Sequence, residues 1–217
     1  MKITWCGHSA FTVSSDSGLV RLLFDPYIPG SWNGALRYVP IQEPCDVIFV
    51  SHKHDGHFGY NAVGGNKTLI RGYGEFWVHN ITVHGVKTWH DDQQGRERGE
   101  NTAFSFRMED IGIAHLGDIG HALTDEQIEE IGEIDVLMVP CGGHSTVDAE
   151  GAFRIVEQLQ PKIVVPMHFK TDRIDAELDG VEAFSKLFSN VQSVSGPLEL
   201  SADTLPHETT LSIMSPA

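Results

Sequence analysis

The stretch SHKHDGHFG, residues 51–59, decides how this chain is read. It packs His52, His54 and His57 into one short run, with Asp55 and Gly56 between the second and third. It follows directly on CDVIFVSH (45–52), whose apolar, β-branched core reads as a buried strand. Two residues apart in extended chain, His52 and His54 point the same way. His57 comes after a glycine-assisted turn and approaches from another side. Neutral imidazole is the commonest side-chain ligand for zinc and similar metals, and zinc takes about four ligands near 2.0–2.2 Å. The loop cannot supply them alone, so distant residues have to join it.

Working outward, three candidates stand in similar settings. His90 lies in KTWHDD, Asp118 in AHLGDIGH and His168 in VVPMHFKT, each just past an expected strand. A lone histidine after a strand is ordinarily a surface or core residue, and a lone aspartate there caps a turn. The recurrence weighs against that reading, because α/β sheets place ligands beyond the carboxyl ends of their strands.

The N-terminal half reads as mostly β. KITWCG and AFTVSS are two short strands joined at Gly7–His8, and LVRLLFDP is a third, ended by Pro26. Residues 27–44, with Pro29, Gly30, Pro40 and Pro44, read as irregular loop. Further strands are expected at 67–71, 75–79, 82–89, 102–107 and 111–116. The C-terminal half alternates. A helix over 123–132 has Thr124 as its cap with Gln127 three residues on, and Gly132 as its stop. IDVLMVP (134–140) and KIVVPMH (162–168) are buried strands, separated by a helix over 146–161. A last helix is expected over 180–189. The length suits one domain, 1–217.

The chain carries a formal net charge of −15 over 217 residues. That field repels phosphate backbones, and no Lys/Arg run offsets it, so nucleic acid is disfavoured and is not an expected partner. No apolar run reaches the roughly 18 residues of a membrane helix. Three widely spaced cysteines form no disulfide framework, which suits the cytoplasm.

Taken together, TWCGHSAF (4–11), SHKHDGH, VKTWHDDQQGRERGEN (86–101), HLGDIGHALTDEQIEEIGEIDVLMVPCGG (115–143) and PMHFKT resemble the metallo-β-lactamase superfamily. Among its members the chain is most similar to small metal-dependent hydrolases of the ascorbate-6-phosphate lactonase-like group. The resemblance implies an α/β fold, the αββα sandwich, with a metal centre at one edge of the β-layers. It implies one or two divalent metal ions, with zinc first and manganese or iron as alternatives. Carried over by position, His52, His54 and His90 hold the first metal, His57 and His168 the second, and Asp118 bridges. Asp118, aided by Asp55, is the expected catalytic anchor of the attacking water. His8, Asp25, His115 and His121 are expected beside the site. Asp25 is expected to order a histidine or nearby backbone. Arg96 and Arg98 are candidates for recognising an anionic substrate, since guanidinium pairs bidentately with carboxylate and phosphate.

The chain departs from the family pattern at position 56, where an aspartate ligand is expected and glycine stands. Either Asp55 substitutes after a backbone shift, or the second site is weaker. Neighbouring side chains in extended backbone face opposite ways, which favours the weaker site. Gly56→Asp is then expected to restore tight binding of two ions. The functional expectation is hydrolysis of a small ester, lactone or phosphoester, the substrate being a small molecule. The rival readings are a metal-binding member without turnover, favoured by Gly56, and a nuclease of the same superfamily, disfavoured by the charge.

Overall fold

The run VIFV becomes a strand covered on both faces, which is why it carries no polar alternation. In the computed structural model, which describes residues 1–65 and 67–217, all four of its residues are buried. It belongs to a six-stranded sheet. In chain order the sheet contains β1 (Lys2–Gly7), β2 (Ala10–Ser14), β3 (Arg21–Phe24), β4 (Val47–Val50) and β5 (Thr68–Arg71). An eight-stranded sheet contains β6 (Gly74–Val78), β7 (Ile81–Trp89), β8 (Glu100–Met108), β9 (Ile111–His115), β10 (Val136–Pro140) and β11 (Ile163–Met167). From the C-terminal segment, β12 (Val191–Val194) and β14 (Thr210–Met214) extend the second sheet, while β13 (Leu198–Glu199) returns to the first. The strand orders are β13-β1-β2-β3-β4-β5 and β12-β14-β11-β10-β9-β8-β7-β6.

The sheets face each other through aromatic rings. Phe24 and Phe49 from the first stack at 5.0 Å, and they meet Phe106 at 5.5 Å and Phe104 at 5.2 Å from the second. Each such ring, fully buried, stabilises the fold by about 1.5–3 kcal/mol. The outer face of the second sheet carries the helices. α1 (Asp125–Ile131) packs on β7 and β8, α2 (Ala149–Leu159) on β10, and α3 (Glu182–Ser185) on α2. The outer face of the first sheet is covered differently. Leu23, Ile48 and Val50 pack against Cys45 and Val63, and Ala10 packs against Tyr27, Leu36 and Tyr38. Irregular chain therefore forms that layer among the described residues.

The helix boundaries follow their caps. Thr124 and Gln127 form a reciprocal capping box, and Asp148 accepts from Gly151 N at 2.8 Å, so the second helix starts at Ala149 rather than 146. The third helix is much shorter than the 180–189 expectation. Val181 offers no side-chain cap, and Leu187 N and Phe188 N bond three residues back, to Phe184 and Ser185. The three cysteines are free. No helix among the described residues is long and apolar enough to cross a membrane.

Candidate metal centre

Strand direction gathers the site. β3 pairs parallel with β4, and β9, β10 and β11 pair parallel with one another. Their carboxyl ends deliver Asp25, Ser51–His52, Asp118 and His168, while the β1–β2 turn delivers His8. Three of these residues adopt left-handed backbone: His8 at φ 53°, Asp25 at 44° and His168 at 51°. Such conformations cost of order 1–3 kcal/mol each and cluster where side chains are held for function.

Asp118 is the centre. Its Oδ2 lies 3.0 Å from His57 Nε2, 3.2 Å from His168 Nε2, 3.3 Å from His90 Nε2 and 3.6 Å from His52 Nε2. His52, His54 and His90 form one group whose ring nitrogens lie within 4.8 Å of one another, and His8, His57 and His168 form a second. All of these residues are buried except His54, which is exposed.

Asp25, fully buried, sets two of the rings. Its Oδ1 accepts from Ser51 N (2.7 Å), and its Oδ2 accepts from Ser51 Oγ (2.6 Å) and His57 Nδ1 (2.9 Å). Because Ser51 Oγ spends its proton on Asp25, it accepts from His52 Nδ1 at 2.8 Å. Both histidines thus commit Nδ1–H outward and turn Nε2 toward Asp118. Burial works against the charged form of His57, but Asp118 and Asp25 on either side outweigh it and lift its pKa to about 10. Burial, with His57 adding to it, drives His52 well below the ordinary histidine range, so that ring is neutral. Burial disfavours ionised Asp118, yet the surrounding His168 and His57 hold its pKa well below normal.

The residues present fit a cation. One carboxylate oxygen cannot accept hydrogen bonds from four rings, and four buried imidazolium groups around it are heavily disfavoured. With neutral rings, the His57 Nε2 proton having given way to the cation, lone pairs face the carboxylate. His52 Nε2, His57 Nε2 and Asp118 Oδ1 are buried without a hydrogen-bond partner. A positive ion among them turns each of these contacts attractive.

Further residues support the ligand candidates. Asn101 accepts from Asp118 N (2.9 Å) and donates to Leu116 O and Thr88 Oγ1. Asp91, beside His90, accepts from the backbone N–H groups of Gln93, Gly95, Glu97 and Arg98, so it folds the following loop around one carboxylate. Burial alone would raise its pKa, and the four N–H donors bring it down to about 2. His121 Nε2 accepts from Trp89 N at 3.1 Å and so holds the backbone next to His90. His115 is directed elsewhere: its Nε2 donates to Ser9 O at 2.8 Å, tying β9 to the turn that carries His8. Ser51, Asp91 and Asn101 act on backbone or on another side chain, and such roles leave no spacing signature in the sequence.

Asp55 does not join the cluster. It is exposed, and it belongs to no group of convergent ligand atoms among the described residues. Its backbone carbonyl accepts from Ile28 N at 2.8 Å, which fixes the loop with the carboxylate facing outward. Arg96 and Arg98 are exposed. Arg98 donates to His144 O at 3.2 Å, linking the loop after His90 to the loop after β10.

Comparison with known proteins places these features in context. Residues 2–168 match the family model of the beta-lactamase superfamily domain. A UPF0173 metal-dependent hydrolase of Archaeoglobus fulgidus is 30% identical over 200 residues, covering 79% of this chain and 84% of the relative. One of Carboxydothermus hydrogenoformans is 29% identical over 197 residues, covering 79% and 85%. A Thermotoga maritima structure assigned to the Zn-dependent hydrolases of the metallo-beta-lactamase superfamily superposes with a TM-score of 0.79 at 36% identity. That match covers 98% of this chain and 97% of the other.

Proposed function

We propose, from the premise that this chain belongs to the beta-lactamase superfamily, that it is a metal-dependent hydrolase acting on a small, anionic ester, lactone or phosphoester. The observation that carries the reading is the convergence of four imidazole Nε2 atoms on one oxygen of Asp118. His52, His54 and His90 would hold a first ion and His57 and His168 a second, with Asp118 available to both. A divalent ion held there would supply Lewis acidity, lowering the pKa of a bound water toward about 7 and polarising the scissile bond.

The chain's own residues do the positioning. Asp25 and Ser51 fix the tautomers of His57 and His52 so that lone pairs face inward. Asn101 holds the backbone of Asp118, and Asp91 and His121 hold the chain around His90. Zinc is the favoured ion because the donors are mostly imidazole nitrogens; iron suits imidazole too, and manganese prefers carboxylate-rich sets.

Several features favour a small anionic substrate. Lys53 and Arg71 outnumber the single acidic residue, Glu100, on the wall of a cavity of about 440 Å³ that includes His52. Arg98 spans two loops that follow strand ends of the site. A net charge of −15 argues against nucleic acid as substrate. Three free cysteines suit a reducing compartment such as the cytoplasm.

The test is a panel of chromogenic esters, lactones and phosphoesters, assayed with zinc, manganese or iron and with chelator. Turnover that is metal-dependent and lost in Asp118→Asn is expected. Full metal loading without turnover on any class would refute the enzymatic reading and leave a metal-binding protein. Tight, salt-dependent RNA binding would refute the substrate class.

A further inference from the structure

Gly56 stands where the family pattern expects an acidic ligand, and the space beside it is filled. A Cβ built on Gly56 would lie 2.8 Å from Trp32 Cζ2, 3.0 Å from His8 Nε2 and 3.2 Å from His8 Cδ2. The place from which a carboxylate would extend is held jointly by the Trp32 ring and a ring nitrogen of His8. That imidazole is fully buried, and neither of its nitrogens has a hydrogen-bond partner. A neutral imidazole always carries one N–H and one lone pair, and leaving a buried polar atom unmet is destabilising.

The ring is aimed by its surroundings. His8 O accepts from Trp5 Nε1 at 2.9 Å and from His168 N at 3.3 Å, which anchors a left-handed backbone. The ring centroid lies 4.2 Å from that of His168 and 5.0 Å from that of His57, with the edge of Trp32 against it at 5.0 Å. One nitrogen from each of His8, His57 and His168 lies within 4.8 Å of the others.

We infer that His8 is a ligand of the second metal ion, taking over the position that an aspartate at 56 would fill, so that the second site is His8, His57, His168 and Asp118. The inference rests on the metal-centre reading above. The site then has as many ligands as the aspartate-bearing pattern, but one negative charge fewer. Three imidazoles suit zinc, nickel and iron, while carboxylate-rich sites suit manganese and magnesium. The second site should therefore prefer zinc over manganese.

The experiment uses the full chain, loaded with zinc and dialysed, with ions per chain and circular dichroism both measured. Wild type is expected to retain two ions, His8→Ala one, and His8→Ala/Gly56→Asp two, the carboxylate entering the space the imidazole vacates as the Trp32 ring, 2.8 Å from the new Cβ, turns aside. Manganese should compete better for the second site of the double variant than of wild type. Crystals of zinc-loaded wild type give a measurement that needs no variant to fold. A zinc anomalous peak about 2.0–2.1 Å from a His8 ring nitrogen is expected. Two ions held with unchanged affinity by His8→Ala, or a second peak on His57, His168 and Asp118 that leaves His8 unligated, would overturn the inference and leave the proposed function standing. A folded double variant that stays at one ion would overturn the shared position. A wild type that binds no ion in this cluster would overturn both readings.

Discussion

Replacing Asp25 by asparagine tests whether one carboxylate sets the chemistry of two histidines. The change is nearly isosteric, so packing is kept. Asp25 accepts three hydrogen bonds from buried donors: two backbone or hydroxyl groups of Ser51 and one ring N–H of His57. Asparagine offers one oxygen and one NH₂. With its oxygen at the Oδ2 position, its amide meets Ser51 N–H donor to donor. With its oxygen at the Oδ1 position, its amide faces His57 Nδ1, which then has to accept. The ring proton moves to Nε2, and the lone pair that faced Asp118 is lost. The first orientation leaves a buried donor unmatched, at about 1–3 kcal/mol. The second moves the penalty onto metal binding, where outer hydrogen-bond partners are typically worth about 10–100-fold in affinity. Asp25→Asn is therefore expected to lose about 1–3 kcal/mol in urea unfolding with chelator present, or to bind zinc at least 10-fold more weakly, or both. Calorimetric zinc titration with parallel denaturation curves measures the two. A variant matching wild type in both would refute the tautomer-setting role.

Three further outcomes are expected. Asp91→Asn should weaken zinc binding about 10–100-fold through the loop that follows His90; in wild type the contribution of Asp91 to stability is complete above pH 3.8 and fades as pH falls toward 2, because its pKa is depressed on folding, and acid unfolding of wild type and variant should converge there. Gly56→Asp alone, expected from the sequence to restore a ligand, should instead destabilise the fold by about 1–3 kcal/mol, since its Cβ would press on Trp32 and His8; a variant as stable as wild type with tighter metal binding would refute the crowding. His52→Ala should remove the first-site ion while the chelated protein keeps its melting temperature within a few degrees, because the aromatic core between the sheets does not depend on the metal; collapse of the fold on chelation would show a structural ion.

The elements that sequence reading located best are those whose physics is local. The uniformly apolar runs of β4, β10 and β11 announce strands covered on both faces, and the Thr124–Gln127 box and Gly132 bound a helix by hydrogen bonds made within a few residues. The histidine run at 52–57 is local too. The third helix failed because an apolar pattern without a cap does not commit the backbone, and GVEAFSKLFS continues as turns after Ser185. The short strands at 191–194, 198–199 and 210–214 were missed because their partners, not their composition, make them strands: β14 is completed by β11 and β12, and β13 by β1. Ser51, Asp91 and Asn101 were missed for a related reason, since their partners are mostly backbone groups that any sequence would present.

The crowding of Gly56 by His8 and Trp32 bears on how such a site can change over generations. An aspartate at 56 beside the present imidazole overlaps it, and a glycine at 56 without that imidazole faces a void. Either single substitution therefore starts from a loss, and only the exchange of both positions, with a shift of the Trp32 ring, returns to a filled space. The two residues form one heritable unit split across distant parts of the chain, with a valley on each side of it. Inspection of position 56 in isolation registers a deletion of function, whereas the volume shared with position 8 registers a relocation.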